Sequence, residues 1–282
     1  FFNHFFQKNN YEEPDSTSVE INKGLEGFWR FDNPEVSRGY SLNFDGSDDY
    51  LSYSDRPNTF EELTVSMWAK SDVNQSDGNH RGLISAASNW DARGFSMYLR
   101  MRESDAGNAF AWTVNGTFIR AGTVEKNKWI HLIGTYNGSH IEFYRDGTKI
   151  GQNTLSGSIT PSENLRIGWI GGLSGNNNYF DGNIDDVRIY NRSVSDSEVE
   201  RLYNEKPVSN EGLLFYQNFN EGPKNCNLTL EDACIKDKTV NDNHGTPQNF
   251  SNNQINTGGG WSNLTTINRP SIRDYSTNYN PT

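Results

Sequence analysis

Short runs of alternating apolar and polar residues, each closed by a turn signal, fill the middle of this chain. Thr64-Val65-Ser66-Met67-Trp68-Ala69-Lys70 puts Val65, Met67 and Ala69 on one face of an extended segment. Phe95, Met97, Leu99 and Met101 alternate with Ser96, Tyr98, Arg100 and Arg102, and Phe110, Trp112 and Val114 repeat the device. A period of two marks half-buried strands, because successive side chains of a strand leave opposite faces. Trp129–Tyr136 and Ile141–Arg145 flank Asn137-Gly138, and Asp146-Gly147 follows at once. These dipeptides accept the positive φ angles of tight hairpins, so the stretch predicts an antiparallel meander. Leu165–Gly168, a Gly/Asn-rich loop over 171–178 and a strand over Ile184–Tyr190 follow.

One segment departs from this period. Ser195 and Glu198 form a capping box ahead of Val199, Leu202 and Tyr203, an apolar stripe at helical spacing. Lys206-Pro207 ends that helix, and Val208–Asn210 reads as a domain boundary. Before Gly24 there is no period; residues 1–23 are a polar, acidic extension headed by Phe1–Phe6. The predicted organisation is an extension over 1–23, a β-domain over 24–205 and a tail over 206–282.

Composition sharpens this picture. With 282 residues there is room for one large β-domain and a smaller module. Only 33% of the residues are hydrophobic but 13% are aromatic, so the core must be built largely from Phe, Tyr and Trp. A formal charge of −11 argues against nucleic acid or an anionic membrane surface as a partner, since both demand clustered Lys and Arg. No run approaches the about 18 apolar residues of a membrane span, so direct membrane insertion is not expected of these residues. Cys226 and Cys234 are the only cysteines and lie in a polar, Asn-rich segment. They read as a local disulfide, and hence an oxidising compartment, or as two free thiols; they lack the second ligand pair of a zinc site.

Gly24–Asp32 (GLEGFWRFD), Leu42–Leu51 (LNFDGSDDYL) and Thr64–Lys70, followed by Lys128–His131, Phe143–Gly147 and Tyr179–Arg192, resemble in order the laminin-G-like branch of the concanavalin A-like lectin and glucanase superfamily. The resemblance implies an all-β fold: an antiparallel jelly-roll β-sandwich with one short C-terminal helix, in which the Phe44 and Val187 strands lie side by side. The tail resembles the start of a second copy, because Gly212–Gly222 (GLLFYQNFNEG) echoes Gly24–Asp32 and Asp242–Thr246 resembles the next turn of the family. The rest of that copy is missing, and one or two strands cannot close a sandwich. Its Leu213–Tyr216 strand is therefore expected either to pack on its own chain or, the arrangement favoured here, to pair with a neighbouring subunit. Residues 1–10 and 212–282 would then carry homo-oligomer contacts.

Glucanases share the fold, so catalysis must be tested. Their paired carboxylates sit on one strand as Glu-x-Asp-x-x-Glu, which is absent, and the adjacent Asp185 and Asp186 are expected on opposite faces of a strand. His4, His80, His131, His140 and His244 show no metal spacing, and there is no Gly-x-Ser-x-Gly elbow. The chain reads as non-enzymatic. Asp45, Asp48 and Asp49 lie on a turn that is expected to approach Asp181 or Asp185, an oxygen-rich set suited to Ca2+. The family often binds Ca2+ at a sandwich rim; Asp side chains equally hydrogen-bond turn amides.

For a carbohydrate ligand, Asn89, Trp90, Asp91 and Arg93 in one loop and Asn177 and Tyr179 in another offer a ring for stacking and polar groups for hydroxyls. The competing reading of Trp90, as a loop anchor folded onto the sandwich, is the one favoured for that residue. Sequons occur at Asn74, Asn115, Asn137, Asn191, Asn227, Asn249 and Asn263, against about five expected by chance in so Asn-, Ser- and Thr-rich a chain, so number alone does not establish glycosylation. The functional expectation is an extracellular or surface binding and adhesion protein that recognises glycan or a surface protein. The alternative is a structural subunit of an extracellular filament, layer or virion.

Overall fold

The structure, a computed structural model, describes residues 40–54, 57–73, 80–88, 93–100, 108–171, 178–220, 235–241, 243–250 and 261–263. Their strands are β1 (Tyr40–Asp45), β2 (Tyr50–Tyr53), β3 (Leu63–Ser71), β4 (His80–Ser85), β5 (Phe95–Arg100), β6 (Ala109–Val114), β7 (Thr117–Thr123) and β8 (Trp129–Tyr136). They continue as β9 (His140–Arg145), β10 (Thr148–Thr154), β11 (Arg166–Ile167), β12 (Asp181–Tyr190), β13 (Leu213–Gln217), β14 (Gly245–Gln248) and β15 (Trp261–Asn263), with helix α1 (Asp196–Tyr203) between β12 and β13.

Two antiparallel sheets form a jelly-roll sandwich. The first runs β10-β9-β8-β3-β12-β1-β15, with β13 also paired to β12; the second runs β14-β2-β11-β4-β5-β6-β7. The predicted alternation holds: Val65, Met67 and Ala69 from one sheet and Phe95, Met97, Leu99, Phe110, Trp112 and Val114 from the other share one core. The Phe44 and Val187 strands are neighbours, with Leu42 opposite Ile184 and Phe44 opposite Gly182. Both predicted hairpins form. Asp146 and Gly147 take φ of 51° and 75°, whereas at the other turn only Gly138 is positive, at 87°, and the Asn137 Oδ1 accepts the Ser139 and His140 amides instead.

The outer faces are covered too. On the first sheet, Val199 and Leu202 of α1 bury Ile133, Tyr144 and Tyr190, and Tyr203 stacks on Trp68 at 5.8 Å. On the second, Ile170 of the β11–β12 connection packs on Tyr98 and Ala111. Trp68 and Tyr98, which look like surface residues in the sequence, are buried for this reason.

The capping box of α1 is doubled by an ion pair. Arg192 donates from Nη1 to Glu198 Oε2 at 2.9 Å and from Nη2 to Oε1 at 2.6 Å. This bond, more than any other contact, lowers the Glu198 carboxyl from 4.5 to about 2. A depressed folded-state value means the stabilisation is fully present above pH 4.5 and is lost as pH falls towards 2. About 1–2 kcal/mol, reduced for solvent screening, is expected to disappear across that window. Thermal melts against pH check this: Arg192→Ala should flatten the acid limb.

β12 carries a bulge that divides its outer edge. Asp186 has φ of 50°, and pairing with β3 skips from Asp185–Trp68 to Arg188–Ser66. β1 pairs with the half before the bulge and β13 with the half after it, Val187 opposite Gln217 and Ile189 opposite Phe215. The tail therefore joins the sandwich of its own chain, where the sequence favours a neighbouring subunit. β13 supplies Phe215 to the core, and β14 pairs with β2 while β15 pairs with β1. Phe1–Phe6, the Gly24–Asp32 segment and both cysteines, Cys226 and Cys234, lie outside the described residues.

Candidate functional site

The turn between β1 and β2 is held by its own carboxylates. Asp45 Oδ1 accepts the Ser47 amide at 2.8 Å and the Asp48 amide at 3.3 Å, and Asp49 Oδ2 accepts the Asp45 amide at 3.1 Å. Gly46 sits at φ +74°, and a Cβ there would lie 2.7 Å from the Asp181 Cβ, so only glycine brings the turn this close to β12. Ligand oxygens of Asp45, Asp48 and Asp49 fall within 4.8 Å of one another; Asp45 and Asp48 are exposed, Asp49 buried. Asp181 faces Asp45 across the β1–β12 ladder. Burial pushes the Asp181 carboxyl above its usual range; Arg81 pulls it down, and Asp72 and Asp45 push it further up. Such crowding is what a divalent cation would relieve, and an all-oxygen set suits a hard one. The turn-amide role and the crowded cluster therefore coexist in one loop. Asp185 does not join it: it pairs with Trp68, four residues further along β12, and is buried on the far side of the bulge from α1's capping box partner Arg192.

Beside the acidic turn stand three rings. Tyr50 opens β2, Trp169 follows β11 and Tyr179 precedes β12, and an isolated bridge joins Trp169 to Tyr179. Their centroids are separated by 5.7 Å for Tyr50–Trp169, 6.2 Å for Tyr50–Tyr179 and 6.1 Å for Trp169–Tyr179. All three are half-buried. The Arg166 guanidinium lies 4.5 Å from the Trp169 centroid, and Arg81 Nη1 donates to the Tyr179 carbonyl at 3.3 Å. Burial first, and then Tyr50 and Asp48, raise the Tyr179 hydroxyl above its usual range.

Of the residues expected to touch a ligand, Tyr179 is in this cluster. Arg93 is exposed, and its carbonyl accepts from Ser162 Oγ at 2.8 Å. Asn89, Trp90, Asp91 and Asn177 lie outside the described residues, as do the sequons at Asn74 and Asn227. Ser88, just before the first of these loops, approaches the second: a Cβ on Gly171 would lie 2.5 Å from its carbonyl oxygen. Among the other sequons, Asn137 and Asn191 are exposed; Asn115 spends its amide on Gly94 and Ser158, and Asn249 donates to the Asp48 carbonyl. Asn263 lies in β15. Tyr50, Trp169, Arg166 and Arg81 were not singled out in the sequence. Trp169 carried the one available signal, a large aromatic directly after Gly168 and before a Gly-rich loop.

The family model for the laminin-G type of the concanavalin A-like lectin/glucanases superfamily matches residues 45–200. The chain belongs to this family. A solved structure of a candidate carbohydrate-binding protein from Bacteroides ovatus superposes with a TM-score of 0.59 at 18% identity, over 77% of this chain and 60% of that one. A heptameric SAP-like pentraxin from Limulus polyphemus gives a TM-score of 0.48 at 18% identity, over 59% of this chain and 82% of that one. In sequence, the adhesion G-protein coupled receptor V1 of Danio rerio is 25% identical over 156 residues, 53% of this chain and 2% of the receptor. The laminin-G-like domain thus spans a small fraction of that curated relative. No helix among the described residues is long and apolar enough to cross a membrane.

Proposed function

We propose that this laminin-G-like domain is a non-catalytic binding module of an extracellular or surface protein, and that it holds glycan on the Tyr50–Trp169–Tyr179 rim. The observation that carries the reading is the ring cluster, three half-buried aromatics within 6.2 Å of one another beside an acidic turn. A pyranose lays its C–H face on such rings while carboxylates accept its hydroxyls. Arg166 keeps the Trp169 ring in place by covering it. Asp45, Asp48, Asp49 and Asp181 would hold Ca2+, which would order the turn against Tyr179. Asn89, Trp90, Asp91, Arg93 and Asn177 would extend the surface along the neighbouring loops. Support comes from the family, from a fold neighbour named for carbohydrate binding and from a relative named as an adhesion receptor. The described residues hold no carboxylate pair in the Glu-x-Asp-x-x-Glu arrangement of the family's glucanases.

A glycan array probed with the full chain tests this. Binding to at least one glycan is expected, with a loss of about 10–100-fold on Trp169→Ala, the scale of a buried aromatic anchor. A calcium chelator should weaken the same binding and lower the melting temperature, because a ligand of the folded state alone stabilises it. An array without any bound glycan, or binding untouched by Trp169→Ala, would overturn the glycan reading.

A further inference from the structure

The bulge in β12 has a second effect, on the outer face of the first sheet. In a regular strand Asp185 and Asp186 would point apart, as the sequence suggests. With Asp186 at φ 50° the alternation breaks, and both residues line a single cavity of ≈490 Å³ between β12, β13 and the segment following α1. That volume falls within the about 300–1,000 Å³ of small-ligand sites. The cavity is distinct from the aromatic rim and shares no residue with it.

Its lining is mixed: Leu202, Val208 and Leu213 belong to the apolar cluster around α1, and Asp185, Arg188 and Tyr216 supply charge and a hydroxyl. The polar part is built rather than loose. Tyr216 Oη donates to Asp186 Oδ1 at 2.9 Å, the Asp186 amide donates to Asp185 Oδ1 at 2.8 Å, and the Arg188 guanidinium lies 4.3 Å from the Tyr216 centroid and 3.5 Å from Asp186. Glu205 and Lys206 add one charge of each sign to the lining. Backbone strain gathers around it as well: Asp186 and Glu205 on the lining, and Phe219 between lining residues Asn218 and Asn220, all have positive φ.

We infer that this cavity is a second binding site, taking one neutral hexose unit with its ring against the apolar residues and its hydroxyls on the Asp186–Arg188–Tyr216 cluster. Acceptors and donors are interleaved and the charges of the lining nearly cancel, so neither a strongly anionic nor a strongly cationic ligand is favoured. A hexose matches this pattern, an apolar C–H face on one side and hydroxyls that both donate and accept on the other.

Saturation-transfer NMR with glucose, galactose, mannose and N-acetylglucosamine on the full chain carrying Trp169→Ala, which removes the sugar contact of the rim, tests the site. At least one hexose should receive saturation in that chain, and adding Asp186→Asn should reduce the binding about tenfold. Adding Asn210→Trp instead, a bulky substitution at an exposed lining residue, should block it even if the Asp186→Asn chain does not fold. The inference is overturned if none of the four hexoses receives saturation in the Trp169→Ala chain, or if that signal survives the added Asn210→Trp.

Discussion

Truncation after Glu211 is expected to leave no cooperatively folded sandwich. The sequence suggests that residues 24–205 could stand alone, but Phe215, Phe219, Ile235 and Phe250 all lie in the common core and are at most 4% exposed. Phe215 meets the Tyr53 ring edge-on at 5.1 Å, and Phe250 lies 5.7 Å from Phe44. Each such side chain contributes about 1.5–3 kcal/mol by burial, so four together approach the about 5–15 kcal/mol that separates a native domain from its unfolded chain. Asp237 organises the same tail by accepting from the Tyr216, Thr239 and Asn243 amides, so that it folds as one piece against β12. Circular dichroism and thermal unfolding of the truncated chain check this. A sharp transition near that of the full chain would show that the tail is an appendage.

The second large effect is expected at Gly134. It lies on β8 opposite Val65 and Phe143, directly under the Trp112 ring of the facing sheet. A Cβ there would stand 2.3, 2.5 and 2.7 Å from three atoms of that ring, and Trp112 is pinned by its Nε1 bond to the Thr135 carbonyl at 3.3 Å. With neither strand able to yield, Gly134→Ala should cost about 3 kcal/mol or more. For a domain of this size that is a melting temperature lower by roughly 6–12 °C. Adding Trp112→Phe should recover part of the loss, because the smaller ring vacates the space the new methyl needs. Calorimetry decides; a loss below about 1 kcal/mol for Gly134→Ala would contradict this packing.

What the sequence made legible was local. Period-two alternation gave β3, β5, β6, β8 and β9, and the capping box at Ser195 and Glu198 is present as read. What it concealed depends on pairings between distant segments. Tyr50 and Trp169 look like an ordinary strand residue and a loop residue until β2 and β11 pair and bring them to one rim. The face of Asp186 follows from its positive φ, which Asp tolerates but does not announce. The tail misled because its apolar residues are too sparse to form a core alone; they are sufficient only to complete one. Of Asp181 and Asp185, the two carboxylates expected near the acidic turn, Asp181 stands opposite Asp45, because the β1–β12 pairing that the family resemblance implies sets that register.

The central claim is that glycan lies on the Tyr50–Trp169–Tyr179 rim, and the indole N–H resonances of the tryptophans report on it most directly. On titration with the strongest glycan from the array, the Trp169 resonance is expected to shift while that of Trp112, fully buried in the core, stays in place. A saturable glycan that leaves Trp169 unmoved would contradict the claim.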